Sequence, residues 1–132
     1  MLFLKRMLVV GAGGFIGANA RYWLGGWVQQ RFGPAFPYGT FVINVTGCFI
    51  LGLFATLALS LALRDEWRLF VAIGFVGAYT TFSTFEYETL RMVAEGARWR
   101  EAMLNIAASV AFGFAAAWLG VVAARLLLRG RA

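Results

Sequence analysis

Four long, mostly apolar stretches, with small and polar positions set among them, alternate with short charged or turn-forming connections along the 132 residues. They run over about 7–27, 40–63, 69–90 and 102–128. A helix crosses a ~30 Å hydrocarbon core in ~20 residues, because each residue adds 1.5 Å of rise. Lipid offers no hydrogen bonds, so every backbone N–H and C=O must be satisfied within the element or by its neighbours. The pattern therefore predicts an all-α membrane protein, a single domain over 1–132 with four transmembrane helices. The connection Gln29–Tyr38 holds Arg31, Gly33, Pro34 and Pro37, which is turn chemistry. Arg64–Arg68 reads as a tight charged turn, and Glu95–Glu101 as a charged connection containing Gly96. Trp23, Trp27, Tyr38, Trp67, Trp99 and Trp118 lie towards the segment ends, where amphipathic rings settle at the headgroup level. The basic start before the first stretch resembles a signal peptide, but the apolar run continues too far and no small-residue cleavage site follows a short core, so it reads as the first span.

Composition agrees with lipid as the solvent. Hydrophobic residues make up 61% of the chain and charged ones 14%, against about 25% charged in a soluble domain. The formal charge of +6 does not point to nucleic acid, because the basic residues flank the apolar runs and form no basic face or binding module. Four spans place Lys5, Arg6, Arg64, Arg68, Arg125, Arg129 and Arg131 on one side, and Arg31, Arg91, Arg98 and Arg100 on the other. Seven against four is a modest bias: both termini cytoplasmic is the default orientation, and dual orientation is permitted. A lone cysteine, Cys48, excludes a disulfide within the chain, and without histidine the usual zinc and haem ligand sets do not assemble. No nucleophile–base pair points to an enzyme.

Polar groups inside a span are costly unless partnered, which makes them functional candidates. In the first span Gly13 and Gly17, with Gly14 and Ala18, form small-xxx-small pairs that let another helix approach. Arg21 lies one turn beyond Gly17 and has two readings, snorkelling to the interface or raising the positive potential at a pore mouth. In the second span Asn44, Cys48 and Gly52 form a stripe at i, i+4 and i+8. Asn44 either joins two helices by hydrogen bonds or offers amide donors to an anion. The third span contains Gly74 to Phe85, in which Gly77, Thr80, Thr81, Ser83 and Thr84 make a poor continuous helix. A break there frees carbonyls near Gly77 and Thr80 to hold Na⁺, a hard ion that prefers oxygen. Phe82 and Phe85, at i and i+3, are either a packed pair or a site where partly positive ring edges solvate an anion. In the fourth span Asn105, Ser109 and Gly113 form a second polar stripe, and with Asn44, Ser83 and Thr84 it outlines a track of neutral groups. The first, second and fourth spans contain no Asp or Glu, while Glu86 and Glu88 trail the third-span motif. Proton-coupled carriers usually need a deep carboxylate or histidine, so this inventory favours neutral, hydrogen-bonded passage of an anion.

The stretches Gly13–Tyr22, Gly39–Gly47 and Gly74–Phe85, in this order and spacing, resemble the small bacterial fluoride channels of the Fluc (CrcB-like) family, Thr80-Thr81-Phe82-Ser83-Thr84-Phe85 most specifically. The resemblance implies an antiparallel, dual-topology homodimer in the inner membrane, with two fluoride pores at the interface and passive release of cytoplasmic fluoride. It implies Asn44 as a pore-lining amide, Phe82 and Phe85 as fluoride-contacting rings, and Ser83, Thr84 and Ser109 as polar-track hydroxyls. Arg21 would stand near the vestibule, and the carbonyls of Gly77 and Thr80 from both subunits would hold a central structural Na⁺. Where the family often has a tyrosine four residues before the serine, this chain has Asn105. The competing classes are a small multidrug-type antiporter, which needs a deep coupling carboxylate, and a non-transporting membrane assembly subunit whose polar stripes serve only packing.

Overall fold

A computed structural model describes residues 2–130, so Arg131 of the basic tail lies outside the described residues. Every regular element among the described residues is helical: α1 (Leu2–Phe32), α2 (Tyr38–Ser60), α3 (Asp65–Arg68), a wider π segment (Leu69–Val76), α4 (Gly77–Tyr79), α5 (Phe82–Gly96) and α6 (Trp99–Arg129). Elements α3 to α5 follow one another as a single interrupted span, so four helical units, Leu2–Phe32, Tyr38–Ser60, Asp65–Gly96 and Trp99–Arg129, are long and apolar enough to cross a membrane. A 31-residue helix is roughly 46 Å long, and α1 and α6 therefore outrun the ~30 Å hydrocarbon core.

Apolar length measures the membrane and not the helix, which accounts for the differences at the connections. Asp65–Arg68, expected in a turn, is already helical, and so are Gln29–Phe32, Glu95–Gly96 and Trp99–Glu101. In contrast α2 stops at Ser60, three residues short of the expected Leu63. Ala62 there takes a left-handed conformation (φ 47°) and Ala97 does the same between α5 and α6 (φ 48°). The first connection is clipped by Gln29. Its Nε2 donates to the carbonyls of Gly33 (2.6 Å) and Phe36 (3.0 Å), and its Oε1 accepts the Gly39 N–H (3.1 Å).

Two helix pairs carry the packing: α1 lies along the π segment and α2 along α6. Small residues bring the backbones together. Gly13 and Gly17 rest on the backbone of Phe70 and Phe75, and a Cβ on Gly74 would stand only 2.6 Å from the Val10 carbonyl oxygen. Only 11–22% of the most apolar window in each span is buried within the chain. The remaining apolar surface, including Trp23, Trp27, Trp67, Trp99 and Trp118, faces lipid or another protein surface.

Candidate functional site

The third span breaks at two residues. Thr80 (φ −84°, ψ 158°) and Thr81 (φ −150°, ψ 108°) are extended between α4 and α5. The β-branched threonines suit that conformation, and neighbouring groups satisfy part of the backbone it frees. The Thr81 N–H, which in an unbroken helix would reach the Gly77 carbonyl, donates instead to Asn44 Oδ1 at 2.7 Å. Asn44 Nδ2 donates back to the Thr81 carbonyl at 3.1 Å. Thr81 also caps α5, its Oγ1 accepting the Thr84 N–H at 3.3 Å and lying 2.8 Å from Thr84 Oγ1. Behind the break, Thr80 N and Oγ1 both donate to the Val76 carbonyl at 3.0 Å. Tyr79 is buried, stacks on Phe75 at 5.5 Å and meets Thr46 Oγ1 at 2.8 Å. Because the Thr46 hydroxyl donates to the Val42 carbonyl (2.7 Å), the Tyr79 O–H is the donor to Thr46.

Beside the break lies a cleft of about 280 Å³, lined by Asn44, Thr80, Phe82, Phe85 and Ser109, together with Cys48 and apolar neighbours. Three helices meet here: α2 supplies the amide, α5 the two rings and α6 the hydroxyl. The rings of Phe82 and Phe85 are 5.8 Å apart and tilted by 36°, and Phe82 is 70% exposed, so the cleft opens away from its own chain. One N–H of the Asn44 amide is spent on Thr81; the amide carries a second. The cleft is thus lined by neutral polar groups and two aromatic rings.

The remaining sequence candidates, Ser83, Thr84, Arg21, Asn105 and Gly77, do not line this cleft. Ser83 and Thr84 are exposed on the first turn of α5, their hydroxyls gathered about Thr81 Oγ1. Arg21 reaches the break from α1, its Nη1 3.5 Å from the Thr80 carbonyl oxygen. Asn105 is 1% exposed and turns towards α5, donating to Thr89 Oγ1 at 2.8 Å, with Ser109 next to it at 3.4 Å. Of the two carbonyls expected to hold Na⁺, that of Gly77 has lost Thr81 as its helical partner and lies on an exposed residue. These are neutral oxygens of the type a hard cation takes, and a second copy would bring their number to four. One chain offers two, so the residues fit the ion only if a second copy contributes.

Glu86 is exposed at the surface of α5. Glu88 is half-buried, and its Oε2 is without a hydrogen-bond partner among the described residues. It opens on a separate cavity of about 390 Å³ near the α1–α2 connection, with Gln29, Arg91, Met92 and Arg98. Sequence reasoning missed Thr81 as the residue on which Asn44 acts, Cys48 as part of the cleft wall, and Thr89. The Thr81-x-x-Thr84 spacing before a helical run carries the signal of an N-cap, and the stripe of Asn44, Cys48 and Gly52 already set Cys48 beside Asn44; Thr89 is set apart by nothing in the pattern.

Four apolar helical units, one interrupted beside a cleft of neutral polar groups and aromatic rings, define a multi-pass membrane protein. Residues 8–121 match the family described as CrcB-like protein, Camphor Resistance (CrcB), and the chain belongs to that family. A protein of Acidobacterium capsulatum named fluoride-specific ion channel FluC is 52% identical over 118 residues, which cover 89% of this chain and 94% of that one. Proteins of the same name are 47% identical over 125 residues in Sulfurihydrogenibium sp. (94% and 100% covered) and 45% identical over 119 residues in Oceanobacillus iheyensis (89% and 90% covered).

Proposed function

We propose that this chain is a fluoride-selective channel that passively exports cytoplasmic fluoride across the inner membrane, working as an antiparallel homodimer with two pores and a central structural Na⁺. The observation that carries the reading is the single cleft that collects Asn44, Phe82, Phe85 and Ser109 in a chain whose relatives are named fluoride-specific ion channels. An anion leaving water must find replacements for its hydration, since an unpaired charge in an apolar site is costly. The second Asn44 N–H, the Ser109 hydroxyl and the ring edges of Phe82 and Phe85 supply them without a fixed positive charge to trap the ion. Ser83 and Thr84 extend the track beyond the rings, and Arg21 biases the mouth towards anions.

What one chain leaves open supports the dimer. The cleft has no wall beyond the exposed face of Phe82, and two carbonyls are too few for Na⁺. An inverted second copy closes the cleft, supplies the missing oxygens and produces the symmetry that larger transporters achieve with internal repeats. A proton-coupled antiporter would instead place a carboxylate in the cleft, and Glu88 opens on a different cavity. Purified protein in liposomes loaded with fluoride, followed by a fluoride electrode, tests the reading. Fluoride leaves rapidly and chloride, run in parallel, is retained; fluoride retention that only an added ionophore relieves rejects it.

A further inference from the structure

The buried contact between α5 and α6 has a direction that its hydrogen-bond partners determine. Thr89 Oγ1 lies 2.7 Å from the Phe85 carbonyl oxygen, and a carbonyl only accepts, so the Thr89 hydroxyl spends its one proton there. Thr89 Oγ1 must then accept from Asn105, which assigns the nitrogen of the Asn105 amide to that side at 2.8 Å. The other side of the amide is therefore its oxygen, an acceptor. Ser109 Oγ, 3.4 Å away, is the donor to it. The sequence of donations runs one way: Ser109 to Asn105, Asn105 to Thr89, Thr89 to the Phe85 carbonyl.

Asn105 itself does not line the cleft, whereas both ends of this relay do, Ser109 from α6 and Phe85 from α5. At 1% exposure its amide has no water to turn to, and a buried amide without partners is penalised far more than a surface one. From this we infer that Asn105 is a positioning residue for anion passage, a role that rests on the channel reading above. Through Thr89 it fixes the turn of α5 that carries the Phe85 ring. Through its Oδ1 it holds the Ser109 proton away from the cleft by a long bond, so that an arriving anion takes the proton by a rotation about the Ser109 side chain alone. The cleft wall is thereby held ready without being committed to the ion in advance.

The test combines flux with a probe of the ring. Fluoride efflux is measured for Asn105→Leu, Thr89→Val, the double variant and Thr89→Ser, with dimer content checked by size-exclusion chromatography. In parallel, ¹⁹F NMR spectra are taken of the same variants carrying 4-fluorophenylalanine at position 85. The expected result is that Asn105→Leu and Thr89→Val each slow efflux about tenfold, the scale of one lost hydrogen bond. The double variant is no slower than the slower single one, because both act through one relay, and Thr89→Ser retains the wild-type rate. The Phe85 resonance moves or splits in the Leu and Val variants and not in Thr89→Ser. Losses that add in the double variant, wild-type flux in Asn105→Leu, or an unmoved Phe85 resonance overturn the inference. Thr89→Val is nearly isosteric and decides the matter alone should Asn105→Leu not fold. A wild-type protein that passes no fluoride while the resonance responds rejects the channel reading and leaves the positioning of Phe85 standing.

Discussion

Asn44 and Phe82 line the same cleft and differ in what else they do. Asn44 holds both backbone groups of Thr81, so Asn44→Ala removes an amide from the cleft and also leaves the N–H and C=O of Thr81 without their partners. A stability loss of about 1–3 kcal/mol and a reduced fluoride flux are expected together, the first read by thermal unfolding in detergent. Phe82 is 70% exposed within the chain and supports little of its interior. Phe82→Ile is expected to lower flux several-fold while the unfolding temperature of the protein stays within a few degrees of wild type and the dimer persists. Wild-type flux in both variants would return these residues to a packing role. The two functions of Asn44 that the sequence left open, joining helices and offering a donor, are not alternatives in the structure, since one amide has enough hydrogen-bonding groups for both. Which backbone it would meet was illegible in advance, because the partner is 37 residues away on another span.

At the scale of elements, the four spans and the interruption of the third were readable for physical reasons. A span must be apolar over a fixed length, and Gly77 with Thr80 and Thr81 resists a regular helix there. The π segment ahead of the break was not readable. Its residues, Leu69–Val76, form an ordinary apolar run, and it lies where α1 presses on Gly74, a tertiary contact rather than a local preference. The fourth-span stripe was legible as a stripe, but periodicity does not say which neighbour a face meets, and only the structure shows that Asn105 bonds to Thr89 of α5 while Ser109 lines the cleft. The close approach of α1 makes a test. Gly17→Val puts a side chain into the Phe75 backbone and is expected to cost about 3 kcal/mol, lowering the unfolding temperature in detergent. Gly11→Ala, at a position with open space around it, leaves that temperature unchanged.

For the whole molecule, the weak charge bias between the two sides is compatible with the proposed pair of opposed copies. Basic residues divided seven to four do not force one orientation, and an antiparallel dimer needs both. A single cysteine introduced near the N-terminus is expected to react with a membrane-impermeant reagent from each side of the membrane; reaction from one face alone excludes the inverted pair. Replacing Na⁺ by a large organic cation during purification is expected to shift the protein from dimer towards monomer and to lower its unfolding temperature by several degrees, because binding to the assembled state adds stability by mass action. Equal stability in both media would separate the carbonyls of Gly77 and Thr80 from any role in holding an ion.

The pairing of Asn44 with Thr81 also bears on biogenesis. A kink whose peptide groups depended on a partner subunit would be a liability during membrane insertion, when each newly made copy is alone in the bilayer. Here the amide comes from the preceding span of the same polypeptide, so the interrupted helix acquires its own ligature as soon as the hairpin of second and third spans has entered the lipid. Each copy can thus complete its shape in whichever direction it is threaded, and the proposed pairing of two opposed copies would be a later, separate event of lateral diffusion.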